Sequence, residues 1–228
     1  MFSVIILMMN TQKNLAAFNK LFNLFFDNGF SLFLVGGTVR DYLLGLELFD
    51  MDVVTNATPK DMQKFLPTAD YTFSRFGSVK LRLDDVKFDI TTLRKEDGYS
   101  DARHPNKIIF CDSLEEDAKR RDFTINGLYM DNNLKVYDFV GGQEDLKNNV
   151  IKMIGNPDKR IKEDPLRIVR ALRFSIEFGF SLDNDLLKSV ENNKELLKKL
   201  NPEKIKEELR KSKDEKKLRE YLNHFYNL

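Results

Sequence analysis

Apolar side chains recur every three or four positions from Leu15 through Phe18, Leu21, Phe22 and Phe25 to Phe26, and the run stops before Asn28-Gly29. That period predicts an amphipathic helix over 12–27 with a glycine stop, preceded by an apolar extension at 2–9. A short apolar run, 31–35, predicts a buried strand. It leads into Gly36-Gly37, a helical stretch at 38–44 and Gly45. The alternation in 49–54 predicts a strand, and Thr58-Pro59 places a cap and a first-turn proline at the start of another helix. Residues 78–83 and 86–92 flank Asp84-Asp85 as two strands of a hairpin. The polar stretch 94–112 has no clear period and predicts a loop, whereas 114–129 predicts one helix and 135–139 a short strand. Beyond about 150 the pattern is helix after helix: 157–161, 165–178, 184–192, 202–211 and 216–225. Strands first and helices afterwards predict an α+β fold followed by an all-α module, with a head at 1–148 and a helical part at 149–228.

Charge and composition narrow the partners. The 228 residues carry 37 Lys and Arg against 36 Asp and Glu, a net charge of +1, which excludes a strongly basic coat and makes any RNA contact local. One cysteine, Cys111, excludes an internal disulfide framework and a Cys-rich zinc site. Two histidines, His104 and His224, argue against a His-based metal centre. The apolar run at 2–9 is too short to span a bilayer and lacks a basic flank or a cleavage signature. A soluble, cytoplasmic protein with no membrane association is expected. Residues 188–220 hold twelve basic and eight acidic side chains, the pattern of a solvated helix surface or of a weak RNA-facing one.

Asp50 and Asp52 stand two apart in the strand predicted at 49–54, so their carboxylates share one face. Hard oxygen ligands of this kind favour Mg²⁺, although Asp-x-Asp by itself also describes a strand end with two solvated aspartates. Gly36-Gly37 lies between a strand and a helix, where open backbone approaches phosphates, or where the chain merely turns tightly. Arg40 is one turn further on. A third carboxylate, Asp89, sits in a neighbouring predicted strand and would complete a metal site. The combination resembles the nucleotidyltransferase superfamily that includes DNA polymerase beta, and implies its mixed sheet with helices.

The resemblance sharpens along LVGGTVRDYLLG (34–45), FDMDVVTNATP (49–59), RRDFTINGL (120–128), DFVGGQEDL (138–146) and EDPLRIVRALRF (163–174). These five motifs stand in the order seen in class II tRNA nucleotidyltransferases, the bacterial-type CCA-adding enzymes, which share them with bacterial poly(A) polymerases. It implies template-independent addition of C and A to a tRNA 3′ end from CTP and ATP, with release of pyrophosphate. Asp50 and Asp52 then bind catalytic Mg²⁺, and Asp89 lies near the primer hydroxyl. Gly36, Gly37 and Arg40 match positions that hold the triphosphate, and Arg121 matches a nucleotide contact. Asp122 and Asn126, four apart on the helix predicted at 114–129, would read ribose hydroxyls; Asp122 orienting its arginine neighbours is the alternative.

Asp164 and Arg167, three apart, are expected on one helix face. A carboxylate accepts from the exocyclic amine of cytosine or adenine and a guanidinium donates to ring acceptors, so one Asp–Arg pair reads both bases. Taken alone, the spacing also describes an ordinary surface salt bridge. Arg170 and Arg173 continue the stripe and match family positions beside triphosphate or base. The stretch 95–110, with Tyr99, Asp101, Arg103 and Pro105, matches a flexible family loop; His104 is expected to be a loop residue and Cys111 a packing residue. Family members are longer, with body and tail domains that grip tRNA, and self-association or a partner chain would replace that grip. A poly(A) polymerase, a partial CC- or A-adding enzyme and a non-catalytic RNA-binding remnant are the alternatives.

Overall fold

A computed structural model describes residues 2–99 and 105–226. The chain forms two compact units. One comprises Met1–Glu96, Ile108–Arg120 and Asn126–Val140; the other comprises Asp97–Lys107, Arg121–Ile125 and Gly141–Leu228.

The first unit is built on a six-stranded mixed sheet. Its strands are β1 (Leu32–Val35), β2 (Met51–Thr55), β3 (Ser78–Leu83), β4 (Val86–Thr92), β7 (Leu128–Met130) and β8 (Val136–Asp138). They lie in the order β3-β4-β2-β1-β7-β8. Within this sheet only β2 and β4 run parallel; the other described pairings are antiparallel. The predicted hairpin is present, and its turn holds Asp84 and Asp85 at φ 50° and 62°, a conformation that Asp tolerates better than most side chains. Helix α1 (Phe2–Asp27) includes the apolar extension and buries Ala17, Phe18, Leu21 and Phe25. Burying each large apolar side chain contributes roughly 1.5–3 kcal/mol. Helix α3 (Pro59–Phe65) starts with the expected cap, completed as a box by Asp61.

Two expectations fail in this half of the chain. Residues 94–112 are not all loop: β5 (Arg94–Tyr99) and β6 (Pro105–Phe110) form a two-stranded sheet. Asp101, Arg103 and His104 lie outside the described residues. Residues 114–129 are not one helix. Helix α4 (Leu114–Lys119) ends at Arg120, a 3-10 turn covers Thr124–Asn126 and β7 follows. Long-range bonds break the helix: Thr124 N–H donates to the Lys152 carbonyl and Ile154 N–H to that of Asp122.

The second unit is mainly helical: α5 (Gly142–Lys147), α6 (Pro157–Glu163), α7 (Leu166–Phe178), α8 (Asn184–Asn193), α9 (Pro202–Lys211) and α10 (Glu215–Tyr226). It is not all-α. Strands β9 (Val150–Ile151) and β10 (Ser181–Leu182) pair in parallel, too short to leave a period in the sequence. Asn156-Pro157 and Asn201-Pro202 start α6 and α9, each Asn accepting from a first-turn N–H. Helix α7 is central, burying Leu166, Ile168, Val169, Ala171, Leu172 and Phe174. Among the described residues no helix is long and apolar enough to cross a membrane.

Candidate active site

In the first unit the site forms where one face of the sheet is left open. Val54 of β2 is covered on that face by Ala118, Tyr129 and Leu93. Two residues earlier on the same face, Asp52 is only partly buried. It stands in register with Asp89 on the parallel strand β4. The register places the two carboxylates side by side, as the sequence implies. Asp50 differs slightly, since β2 begins at Met51 and Asp50 lies at its entrance. The carbonyls there are taken by side chains instead of a ladder. Asn14 donates to the Leu48 carbonyl at 2.7 Å, and the Thr38 hydroxyl donates to the Asp50 carbonyl at 3.4 Å.

Thr38 also accepts the Asp52 N–H at 2.8 Å, so one buried hydroxyl ties helix α2 (Gly37–Leu43) to both aspartates. Sequence reasoning missed this residue; a threonine right after the glycine pair was the available signal. Gly36 sits at φ 64° and ψ −125°, a backbone that needs glycine. A Cβ on Gly37 would lie 3.5 Å from the Arg40 guanidinium and 3.7 Å from an Asp52 carboxylate oxygen. The glycine therefore leaves a space lined by one cation and one anion. Arg40 is buried and oriented, donating to Asp41 at 2.9 Å and to the Asn126 side-chain oxygen at 2.6 Å.

Asn126 thus serves the first unit. Asp122 serves the second, and the two do not share a helix. Both Nε and Nη2 of Arg170 donate to one Asp122 oxygen, at 2.8 and 2.6 Å, while the other oxygen accepts the Phe123 N–H. The Arg121 carbonyl accepts from Arg160, itself paired with Glu163 at 2.8 Å. Asp164 is not on the face of a helix with Arg167. It is extended, between α6 and α7, because Pro165 follows it. Its carboxylate accepts the Leu166 N–H at 3.1 Å and its carbonyl the Arg167 N–H, so the two residues are joined through one cap. The Arg167 guanidinium turns back to the Arg160 carbonyl and to Glu163, at 2.5 and 3.4 Å.

Arg173 is buried between Glu208 and Glu177, at 2.8 and 2.9 Å. Glu208, on α9, also meets Lys211 at 2.9 Å and Arg170 at 3.7 Å. Burial pushes the Glu208 carboxyl up, but Arg170 and Arg173 outweigh it and hold the group below the usual glutamate value. Burial likewise disfavours the Arg170 charge; Asp122 and Glu208 more than offset it and raise its pKa. Glu208 went unnoticed in the sequence because its partners lie 35 and 38 residues away.

Residues 32–152 match the model of the poly A polymerase head domain. The chain belongs to this family. Curated relatives include the CCA-adding enzymes of Lactobacillus helveticus, 42% identical over 182 residues, and of Staphylococcus aureus, 35% identical over 202. Those alignments cover 80% and 89% of this chain but 46% and 50% of the relatives. The chain therefore spans about half the length of the curated relatives it matches. Among solved structures, the Bacillus stearothermophilus CCA-adding enzyme in complex with CTP aligns with a TM-score of 0.77 and 33% identity, over 87% of this chain and 47% of that one. The Thermotoga maritima CCA-adding enzyme complexed with tRNA aligns with a TM-score of 0.71 and 25% identity, over 91% and 50%.

The family is generally dependent on a divalent metal. Among the described residues no three His, Cys, Asp or Glu side chains are gathered closely enough to hold an ion by themselves. Mg²⁺ does not need three. It is commonly held by one or two carboxylates, with water and substrate phosphates completing its octahedron. The in-register Asp52 and Asp89, Asp50 at the strand entrance and the space over Gly37 fit that demand.

Proposed function

We propose that the chain carries the nucleotide-transfer and base-selection machinery of a tRNA nucleotidyltransferase, adding C and A to RNA 3′ ends from CTP and ATP with release of pyrophosphate. The observation that carries this reading is the in-register Asp52–Asp89 pair beside Gly37 and Arg40, in a chain whose relatives are named CCA-adding enzymes. Asp50 and Asp52 would hold Mg²⁺, which when bound acidifies the attacking hydroxyl and neutralises charge on the departing pyrophosphate. Arg40, fixed by Asp41 and Asn126, donates to phosphate oxygens over Gly37. Asp89 takes the place beside the primer hydroxyl.

Base choice falls to Asp164 and Arg167. Asp164 accepts the exocyclic amine of cytosine or adenine, and Arg167 donates to the adjacent ring acceptor. Uracil and guanine set a carbonyl against Asp164, and a buried unpaired acceptor costs about 1–3 kcal/mol. Arg121, Asp122 and Arg170 support the nucleotide beside them; Arg173 acts through Glu208 as a strut. Such a protein works where tRNA matures, which places it in the cytoplasm.

The poly A polymerase description of the matched head domain favours a second reading, addition of A alone. One experiment separates the two: extension of tRNA lacking its CCA end, with each NTP offered singly and then CTP and ATP together. CCA addition predicts C incorporation from CTP alone and a completed end only with both. A-tailing from ATP without any use of CTP selects the second reading, and no incorporation at all rejects both.

A further inference from the structure

The open sheet face that carries the carboxylates continues outward onto the β3–β4 hairpin, where its charge changes sign. Antiparallel register sets Lys80 opposite Asp89 and Arg82 opposite Lys87. Strand alternation turns these side chains away from the buried Val79, Val86, Phe88 and Ile90. Two rows therefore cross the face. One runs from Lys80 through Asp89 to Asp52; the other runs from Arg82 to Lys87, whose ammonium lies 3.9 Å from Asp50. Three cations line the outer edge of the sheet beside the carboxylates.

We infer that Lys80, Arg82 and Lys87 form a contact for the phosphodiester backbone of the RNA strand being extended, holding it next to Asp89. The inference rests on the nucleotidyltransferase reading for the identity of the strand, and on the sheet register for its place. Lys80 and Arg82 are two residues apart on one strand, about 6.6 Å along it, a spacing of the same order as successive phosphates of an extended chain. The carboxylates now near the three cations are loosely held: Lys80–Asp89 at 3.6 Å, Arg82–Asp85 at 3.8 Å and Lys87–Asp50 at 3.9 Å. All three pairs are well exposed, and such pairs contribute about 0–1 kcal/mol, so the cations can exchange onto phosphate at little cost.

The helical lysines differ. Lys198, Lys204, Lys206 and Lys211 each donate to a carboxylate three residues away, at 2.5–2.9 Å. These four lysines are thus already hydrogen-bonded to carboxylates of their own helices. The edge of the sheet has no hydrogen-bonded pairing of that kind among the contacts described for Lys80, Arg82 and Lys87.

The test is fluorescence anisotropy of tRNA lacking its CCA end, titrated with the full chain over a series of salt concentrations. Three variants are compared with the parent. The first is Lys80→Gln, Arg82→Gln and Lys87→Gln together. The second exchanges the same sites conservatively, as Lys80→Arg, Arg82→Lys and Lys87→Arg. The third is Lys198→Gln, Lys204→Gln and Lys206→Gln. Each phosphate contact to a single strand contributes about 0.7 to the slope of log K against log salt, so the first variant should flatten that slope by about 2. The conservative exchange should keep the parental slope, and the helical variant should change it little. An unchanged slope in the first variant, or an equal flattening in the helical one, overturns the inference. Nucleotide incorporation is followed in parallel. A parent chain that incorporates nothing yet loses slope in the first variant defeats the nucleotidyltransferase reading and leaves the contact standing. Normal incorporation with an unchanged slope does the reverse.

Discussion

In the first unit, Asp50 and Asp89 face lysines at 3.9 and 3.6 Å across a partly open sheet face. In the second, Glu208 is 3% exposed and gathers Arg173, Lys211 and Arg170, while Arg170 also grips Asp122. The same residue types do different work. On the sheet, carboxylates are held by their backbone through Thr38 and by strand register, and their oxygens stay near solvent, where an ion or a phosphate can reach them. In the helical unit, carboxylates and guanidiniums satisfy one another out of solvent. That arrangement positions side chains, because a buried charge keeps its geometry only when its partners are fixed.

The largest effect that distinguishes the two regions should come from Asp52. Asp52→Ala should lower nucleotide incorporation by about a thousandfold or more, since a bound metal supplies several kcal/mol of transition-state stabilisation. The thermal midpoint should barely move, because the carboxylate is only partly buried. Single-turnover incorporation and thermal melting measured on the same sample check both halves of the statement.

Glu208→Ala should do the opposite, with stability as the first casualty. Removing one partner of a buried ionic cluster strands the others, at a cost of about 3–5 kcal/mol. Denaturant unfolding of the parent and variant measures it. The depressed Glu208 carboxyl adds a pH signature. Its contribution is fully present above the ordinary glutamate value of 4.5 and is lost as pH falls through the lower folded value. The parent should therefore lose stability on acidification below about 4.5, and Glu208→Gln should lose less over the same range. Unfolding curves at several acidic pH values decide this.

A smaller effect belongs to Thr38. Thr38→Val keeps the shape but deletes the hydroxyl that ties Asp50 and Asp52 to α2. A neutral hydrogen bond contributes about 0.5–1.5 kcal/mol, so incorporation should fall by roughly tenfold or less. The metal requirement should persist, shown by titrating Mg²⁺ in the same assay.

Local chemistry made much of this legible in the sequence. Thr58-Pro59 and Asp84-Asp85 each carry their own instruction, a cap and a turn, and both appear where expected. The Asp52–Asp89 pairing was also within reach, since two neighbouring strands each bore one carboxylate. One failure depended on distant partners. Residues 114–129 read as one helix, yet the Thr124 N–H donates to the Lys152 carbonyl and Asp122 is captured by Arg170, 48 residues away. The other was local: Asp164 and Arg167 have helical spacing, but the adjacent Pro165 places the first of them outside the helix. Thr38 could have been suspected from its place right after Gly36-Gly37, whereas the role of Glu208 exists only through Arg170 and Arg173, which the fold brings to it.

In the proposed division of labour, base choice belongs to the helical unit and the chemistry to the sheet. Asp164 tests it most directly. Single-nucleotide incorporation by Asp164→Ala should be measured with CTP, ATP, UTP and GTP separately, at saturating Mg²⁺. Discrimination against UTP and GTP should fall by about tenfold, because the acceptor-against-acceptor penalty of about 1–3 kcal/mol disappears. The triphosphate-dependent part of nucleotide affinity should stay near the parental value. An equal loss with all four nucleotides would make Asp164 a structural cap for α7 and contradict the division of labour.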